Sequence, residues 1–357
     1  MCTEGASNQT AAAAQPAITL DLPVHLLHFV ARVEEPVHLP SHPGAALRGA
    51  LFEALRRQFC LEFGAGQAGW GRAGECSRAL TDACAVCFLM QPYAPEAERG
   101  ADVPRPYVLR PPLEGKTHYA AGERFSFGLV TFGRALQHLP FVLVGALEMG
   151  RRGMGYGRAG RFVLQEVWAE HPLLGRRQAV FDARDGLVRP PALPLTYRQL
   201  AEQYATVGMP GGTTARQHGV LTLRIALLTP LRLTDRGRLV HQETLSVTVL
   251  VQRLLERLTA LAARYGGGPP ALPYADLLAC AAAAQVVDNR TTWRDLVRFS
   301  GRQQRAMPWG GLVGSFTVQG PAELLAPLVP LLQFGSYTGV GKYAVTGNGW
   351  YRVEVLY

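Results

Sequence analysis

The chain has 357 residues, 48% of them apolar, and a formal charge of +9. That is enough for two domains with real cores, and the charge suits a polyanionic partner. No apolar run is long enough to cross a bilayer, which excludes a helical membrane protein, and Met1 to Gln15 lacks the basic start of a signal peptide. Residues 1–17 are expected as a disordered tail and the protein as cytoplasmic.

Taken in chain order, Val24–Val33 reads as a strand and Ala45 to Phe59 as a helix. In that helix Leu47, Ala50, Leu51, Ala54, Leu55 and Phe59 form an apolar stripe, and Pro43 and Gly44 suit its start. Residues 60–112 read as a cysteine-containing insertion. Arg124 to Phe132 alternates as a strand does, Arg134 to Met149 is an apolar helix, and Phe162–Trp168 is a strand. The proline-rich stretch 170–216 is expected as a connector with one short helix near Tyr197–Tyr204. Then come a strand at Val220 to Leu228, a long helix at Gln242 to Tyr265, and a second helix at Tyr274 to Val286. Strands are expected at Thr292 to Phe299 and Gly311 to Val318, a helix at Ala322 to Phe334, and a last strand at Trp350 to Tyr357.

Residues 18–169 and 217–357 thus share one order of elements. Each half has strand, helix, two strands, an apolar helix, a glycine-rich loop carrying Lys or Arg, and a final strand. The fold class expected is α+β, two tandem ferredoxin-like (RRM-like) domains, βαββαβ twice.

The first glycine-rich loop is Gly150-Arg-Arg-Gly-Met-Gly-Tyr-Gly-Arg158. The second lies in Phe334 to Trp350, with Gly335, Gly339, Gly341, Lys342, Gly347 and Gly349. Glycine permits φ > 0 and close backbone approach. Such a loop can expose N–H groups to a phosphate chain, or it can be a plain set of tight turns. Arg151, Arg152, Arg158 and Arg161 flank the first loop. Arg290, Arg294, Arg298, Arg302 and Arg305 form a further basic run, which is a cationic surface at either helical or strand period. The bland reading is a solvated face; the alternative is phosphate contact by arginine forks. Basic patches placed at glycine loops suit a single-stranded nucleic acid better than a small anion.

Cys60, Cys76, Cys84 and Cys87 are spaced C-x15-C-x7-C-x2-C. The last pair is a zinc half-site and the others can complete a tetrahedral thiolate set, structural because four thiolates leave no open position. Free cysteines are the competing reading. His118 is a spare ligand.

The sequence holds no HExxH, GxSxG, Walker A lysine or paired-carboxylate motif. Histidine in this basic setting is the remaining candidate for chemistry. His42, in Ser41-His-Pro-Gly44, sits just before the first helix, with Arg48 on its opening turns; His38 and His28 are alternatives. RNA brings its own nucleophile, the 2′-OH. Its cleavage needs a base, an acid for the 5′-oxygen, and cations for the phosphate charge, and neutral histidine can be the base near pH 7.

With Phe334-Gly-Ser-Tyr-Thr-Gly-Val-Gly-Lys-Tyr-Ala-Val-Thr-Gly-Asn-Gly-Trp350, Pro43-Gly-Ala-Ala-Leu-Arg-Gly49 and Gly150-Arg-Arg-Gly-Met-Gly-Tyr-Gly157, the chain resembles the CRISPR-associated endoribonucleases that process precursor CRISPR RNA. These belong to the wider repeat-associated RNA-binding superfamily. The resemblance implies two ferredoxin-like domains and metal-independent cutting within each repeat, leaving a 2′,3′-cyclic phosphate and a 5′-OH. It implies CRISPR repeat RNA, single-stranded or hairpin, as partner, with effector-complex subunits as further partners, no membrane, and no catalytic cofactor. His42 matches the family's catalytic histidine and Arg48 its following basic residue. His28 is the nearest substitute for a partner on the preceding strand, which leaves the acid unassigned. The rival reading within the superfamily is a non-cleaving RNA-binding subunit of an effector complex.

Overall fold

The computed structural model describes residues 18–60, 84–90, 103–206, 219–300 and 305–356. The first domain opens with β1 (Val24–Val33), β2 (Val37–His38) and α1 (Gly44–Phe59), followed by the short α2 (Ala85–Met90). Then come β3 (Tyr107–Arg110), β4 (His118–Tyr119), β5 (Arg124–Phe132), α3 (Leu139–Arg152), β6 (Phe162–His171) and β7 (Arg176–Asp182). The sheet order is β3-β5-β1-β6-β7, with every neighbouring pair antiparallel. Without β7 this is the strand order of a ferredoxin-like domain built as β1-α1-β3-β5-α3-β6.

Period-2 alternation decides which face is covered. On β1 Leu27, Phe29, Ala31 and Val33 are buried, whereas His28 and Val30 are half-buried and Arg32 is exposed. Phe29 stacks on Phe127 of β5 with centroids 4.9 Å apart. The stripe on α1, with Leu47, Leu51, Ala54 and Leu55 buried, packs against α3 over this apolar face. The helices approach closely because Gly145 has no side chain: a Cβ there would stand 2.8 Å from Leu55 Cδ2.

The stretch between the domains holds more structure than its prolines suggest. β7 extends the first sheet at its edge, and its exposed Arg176 and Arg177 hide the strand pattern from the sequence. α4 (Tyr197–Thr206) follows, and its Tyr197 packs edge-on against Phe334.

The second domain contains β8 (Val220–Leu231), the small hairpin β9 (Thr234–Asp235) and β10 (Arg238–Leu239), α5 (Val247–Tyr265) and α6 (Tyr274–Ala282). It continues with β11 (Gln285–Asn289), β12 (Thr292–Arg294), β13 (Val297–Ser300), β14 (Arg305–Pro308) and β15 (Gly311–Pro321). It closes with α7 (Ala322–Leu325), α8 (Leu328–Thr338) and β16 (Tyr351–Leu356). The order β11-β15-β8-β16 is again ferredoxin-like. Ser246 caps α5 by accepting the Val249 N–H at 3.2 Å, a contact worth about 1 kcal/mol. Leu254, Leu255, Leu258 and Leu261 on that helix are fully buried, each contributing roughly 1.5–3 kcal/mol.

Three expectations change. The helix read to Val286 ends at Ala282, and Val286 lies in β11, paired with Val318. The helix from Ala322 is two pieces, because Pro327 interrupts it before α8. The basic run is not one continuous strand: Arg294 ends β12 against β15, whereas Arg298 lies in β13 against β14. Among the described residues no helix is long and apolar enough to cross a membrane.

Candidate active site

His42 is presented by the turn between β2 and α1. Its ring Nδ1 lies 3.2 Å from the Ser41 hydroxyl. Pro43 then caps the helix, its carbonyl accepting the Leu47 N–H at 2.8 Å. Gly44 opens α1 at a point where the second domain touches the first: a Cβ there would stand 1.8 Å from the carbonyl oxygen of Thr346.

That contact makes one cavity of about 300 Å³ out of both domains. Its walls include Ser41 and His42 from the first domain and Thr229, Arg294, Trp309 and Asn348 from the second. The Trp309 and His42 rings stand nearly perpendicular, with centroids 6.4 Å apart. Partial burial lowers the His42 pKa from its ordinary value, and the Arg294 guanidinium adds to the effect. The imidazole is therefore neutral near pH 7, with a cation nearby that can meet a phosphate.

The second glycine-rich loop is folded inward against the protein. Gly347, at φ 91°, packs on the first domain, where a Cβ would stand 2.7 Å from the Leu109 carbonyl oxygen. Gly349, at φ 69°, would put a Cβ 1.8 Å from the Val340 carbonyl oxygen. Thr229 Oγ1 donates to the Gly347 carbonyl at 2.6 Å and accepts the Trp350 N–H at 2.9 Å. Arg232 is buried; its Nη1 donates to the Gly310 carbonyl at 2.7 Å, and its own carbonyl accepts the Lys342 N–H at 2.9 Å. Lys342 itself is exposed.

Arg110 fastens the two domains beside this loop. Its Nη2 donates to the Ser336 carbonyl at 3.2 Å, near the end of α8, and its guanidinium lies 4.5 Å from the Trp350 ring centroid. A cation at a helix C-terminus meets the negative end of the dipole. Burial lowers its pKa to about 10, so it stays charged at neutral pH.

Of the residues singled out from sequence, His42 and Arg294 share the cavity, and Gly347 borders it. Arg48 points elsewhere: its Nη2 donates to the Met90 carbonyl of α2 at 3.2 Å. His28 lies on the helix-free face of the first sheet, stacked on Trp168 at 4.0 Å and paired with Glu170 at 3.1 Å. Burial lowers its pKa, against the opposing pull of Glu170. Gly335 is buried under Tyr351, Gly339 ends α8, and Gly341 packs on the Arg232 carbonyl. On the first loop Arg151 and Arg158 are exposed, and Arg152 pairs with Glu148 at 2.5 Å. The Arg298 side chain and Arg302 lie outside the described residues. So does Cys76; Cys60 and Cys84 are half-buried and Cys87 is buried, and none of the three is in a disulfide. Among the described residues no three His, Cys, Asp or Glu side chains converge as a metal site. The four-cysteine set expected to hold zinc therefore lies partly outside the described residues.

Trp309, Asn348, Arg232 and Arg110 were not visible as site residues from sequence. Trp309-Gly-Gly311 and Gly347-Asn-Gly349 each set a polar side chain among glycines, and that was the available signal.

A family profile described as CRISPR-associated endoribonuclease Cas6 matches residues 225–351. Residues 225–351 are thus similar to that family over most of the second domain. A further profile, described as an N-terminal domain (AF_1859_N), matches residues 22–193. Among solved structures, a Cas6-RT-Cas1–Cas2 complex superposes with a TM-score of 0.60 at 12% identity, covering 95% of this chain and 47% of that one. A second such complex gives 0.60 at 12%, covering 95% and 29%. This chain spans about half of one of those Cas6-containing chains and under a third of the other. A Cas6 product complex (TTHB231) gives 0.50 at 17% identity, covering 94% of this chain and 99% of that one. At such identities the likeness speaks for the shared tandem fold. A search of curated proteins found no match.

Proposed function

We propose that this protein is a metal-independent endoribonuclease that cuts precursor CRISPR RNA within its repeats. The observation that carries the reading is the convergence of His42, Arg294 and the glycine-rich loop on one cavity built from both domains. The similarity of residues 225–351 to an endoribonuclease family supports it.

Neutral His42 takes the proton from the 2′-OH of the ribose before the scissile phosphate. The 2′-oxygen attacks phosphorus, forming the 2′-O–P bond as the P–O5′ bond breaks. The 5′-oxygen leaves and takes up a proton, giving a 2′,3′-cyclic phosphate on one side and a 5′-OH on the other. Arg294 faces the charge that builds on the phosphoryl oxygens. The exposed Arg151, Arg158 and Lys342 are cations for flanking phosphates. CRISPR repeat RNA is the partner, and the RT–Cas1–Cas2 assemblies of the structural neighbours suggest that other CRISPR proteins bind alongside.

The test is His42→Ala against a cognate repeat RNA in EDTA. Cutting by the wild type with a cyclic-phosphate product, abolished in the variant while RNA binding persists, is the expected result. Unchanged cutting by the variant overturns His42 as base. Binding without cutting by the wild type assigns a non-catalytic RNA-binding role instead.

A further inference from the structure

Two side chains on the cavity wall have unused hydrogen-bond donors. Trp309 is 3% exposed and its Nε1 has no partner; Asn348 is 3% exposed and its Nδ2 has none. Buried polar groups are paired as a rule, and an unpaired one carries a desolvation cost. The backbone around both is already engaged. The Trp309 N–H donates to the Leu296 carbonyl at 2.7 Å, and the Gly349 N–H beside Asn348 donates to the Pro230 carbonyl at 2.9 Å. The open valences named here are those of the side chains. Both residues face the cavity that His42 and Arg294 line.

We infer that Trp309 Nε1–H and Asn348 Nδ2–H form a two-donor seat for a non-bridging phosphoryl oxygen at the scissile linkage. The inference rests on the cavity being where RNA is cut. Indole nitrogen only donates, so its partner must be an acceptor. A cation and an imidazole share the walls, so the acceptor that fits is a phosphoryl oxygen. The two donors come from different parts of the second domain, one beside β14 and one on the glycine-rich loop. That loop is itself fixed to the first domain through Gly44 and Gly347. The seat is therefore held in register with His42 by the domain contact. Both nitrogens are covered before the substrate arrives, so the phosphate seats by displacing the atoms over them, and the neutral donors then meet the charge as it develops. Arg294 then neutralises the phosphate while the seat fixes which of its two oxygens points inward.

That last property gives the test. A cognate repeat RNA carries a single phosphorothioate, Rp or Sp, at the scissile position, and cleavage is followed in single turnover. Sulfur accepts a hydrogen bond poorly, so the wild type should disfavour one diastereomer. Trp309→Phe keeps an aromatic ring and removes the donor. It should slow the all-oxygen substrate about a hundredfold, as loss of one such donor does elsewhere, and its preference between diastereomers should collapse. Asn348→Ala should act in the same direction, and it serves if Trp309→Phe does not fold.

A second measurement needs no altered fold. The indole N–H resonance of Trp309 in the wild-type protein is followed while RNA blocked by a 2′-deoxy sugar at the attacking position is added. Formation of the bond moves it downfield. A diastereomer preference unchanged in both variants, or an indole resonance that stays put with RNA bound, overturns the seat. These outcomes separate from failure of the catalytic reading. If His42→Ala still cuts while the indole moves, the base assignment falls and the seat stands. If His42→Ala is dead and the indole does not move, the reverse holds.

Discussion

Gly44→Ala tests whether the cavity depends on the contact between the domains. Helix propensity alone favours the change, since alanine exceeds glycine by about 1 kcal/mol in a helix interior. The structure opposes it. The new Cβ would stand 1.8 Å from the Thr346 carbonyl oxygen, where ordinary contact begins at 3.4 Å. Both sides of the clash are backbone, so relief requires the α1 start and the glycine-rich loop to part by about 1.5 Å, given normal contact distances. Overpacking of this kind costs about 1–3 kcal/mol, which outweighs the propensity gain. Gly49→Ala, on the same helix with nothing within 4 Å, is the matched control and should gain up to about 1 kcal/mol. Thermal melts should therefore move in opposite directions, by about 2–4 °C for each kcal/mol in a folding unit of about 150–250 residues, the size of the first domain. Because Thr346 lines the cavity, repeat cleavage by Gly44→Ala should fall further than its melting point suggests. A Gly44→Ala protein that melts at or above the wild type and cuts normally would refute the idea that this contact builds the site.

Three other outcomes are expected. The cleavage rate should rise with pH to a plateau, with the midpoint of the rise below 6.5, because the base acts only when neutral and the His42 pKa is lowered by burial and then by Arg294; Arg294→Gln should move that rise to higher pH and lower the plateau. His25, buried beside His171, has its pKa lowered to about 4 from 6.5, first by burial and then by His171. The unfolded chain then binds the proton more readily, so about 3 kcal/mol present above pH 6.5 should be lost as pH falls toward 4; urea melts across that range check it, and His25→Leu should flatten the loss. Arg110→Gln should lower the melting point by about 1.5–3 kcal/mol equivalent, since it removes a charged donor from the end of α8; an unchanged melt would refute its role as a clasp.

Much of the fold was legible because it rests on periodicity. The alternation of β1 and β5 and the stripe of α1 each follow from one buried face, and the repeated order of elements followed from those. The elements that escaped lack that signal. β7 is an edge strand with exposed arginines, and β11, whose pattern runs exposed and half-buried throughout, continues an alanine-rich helix with no break in composition. His42 was legible from its place before a helix. Arg294 was legible as a cation, though not as the one that faces His42, because only the turn between β12 and β13 and the path of β15 bring it there. Trp309 and Asn348 could not be found from sequence. Their interest lies in hydrogen bonds they do not make, and an unmade bond has no pattern along a chain. The second loop shows a further limit of sequence: its glycines look like openness to a ligand, and Gly335, Gly347 and Gly349 turn out to be sites of close packing.

The meeting of Gly44 with Thr346 also has a consequence in time. The two residues are roughly 300 positions apart, and domains fold in the order in which they leave the ribosome. The first domain, with His42 already in place, can be finished while the walls from Thr229 to Asn348 are still unmade. Until the loop arrives there is a histidine and no cavity. On the proposed reading, a nascent chain therefore carries its base with no site around it, and the site is complete only once the second domain has been synthesised and has closed against the first.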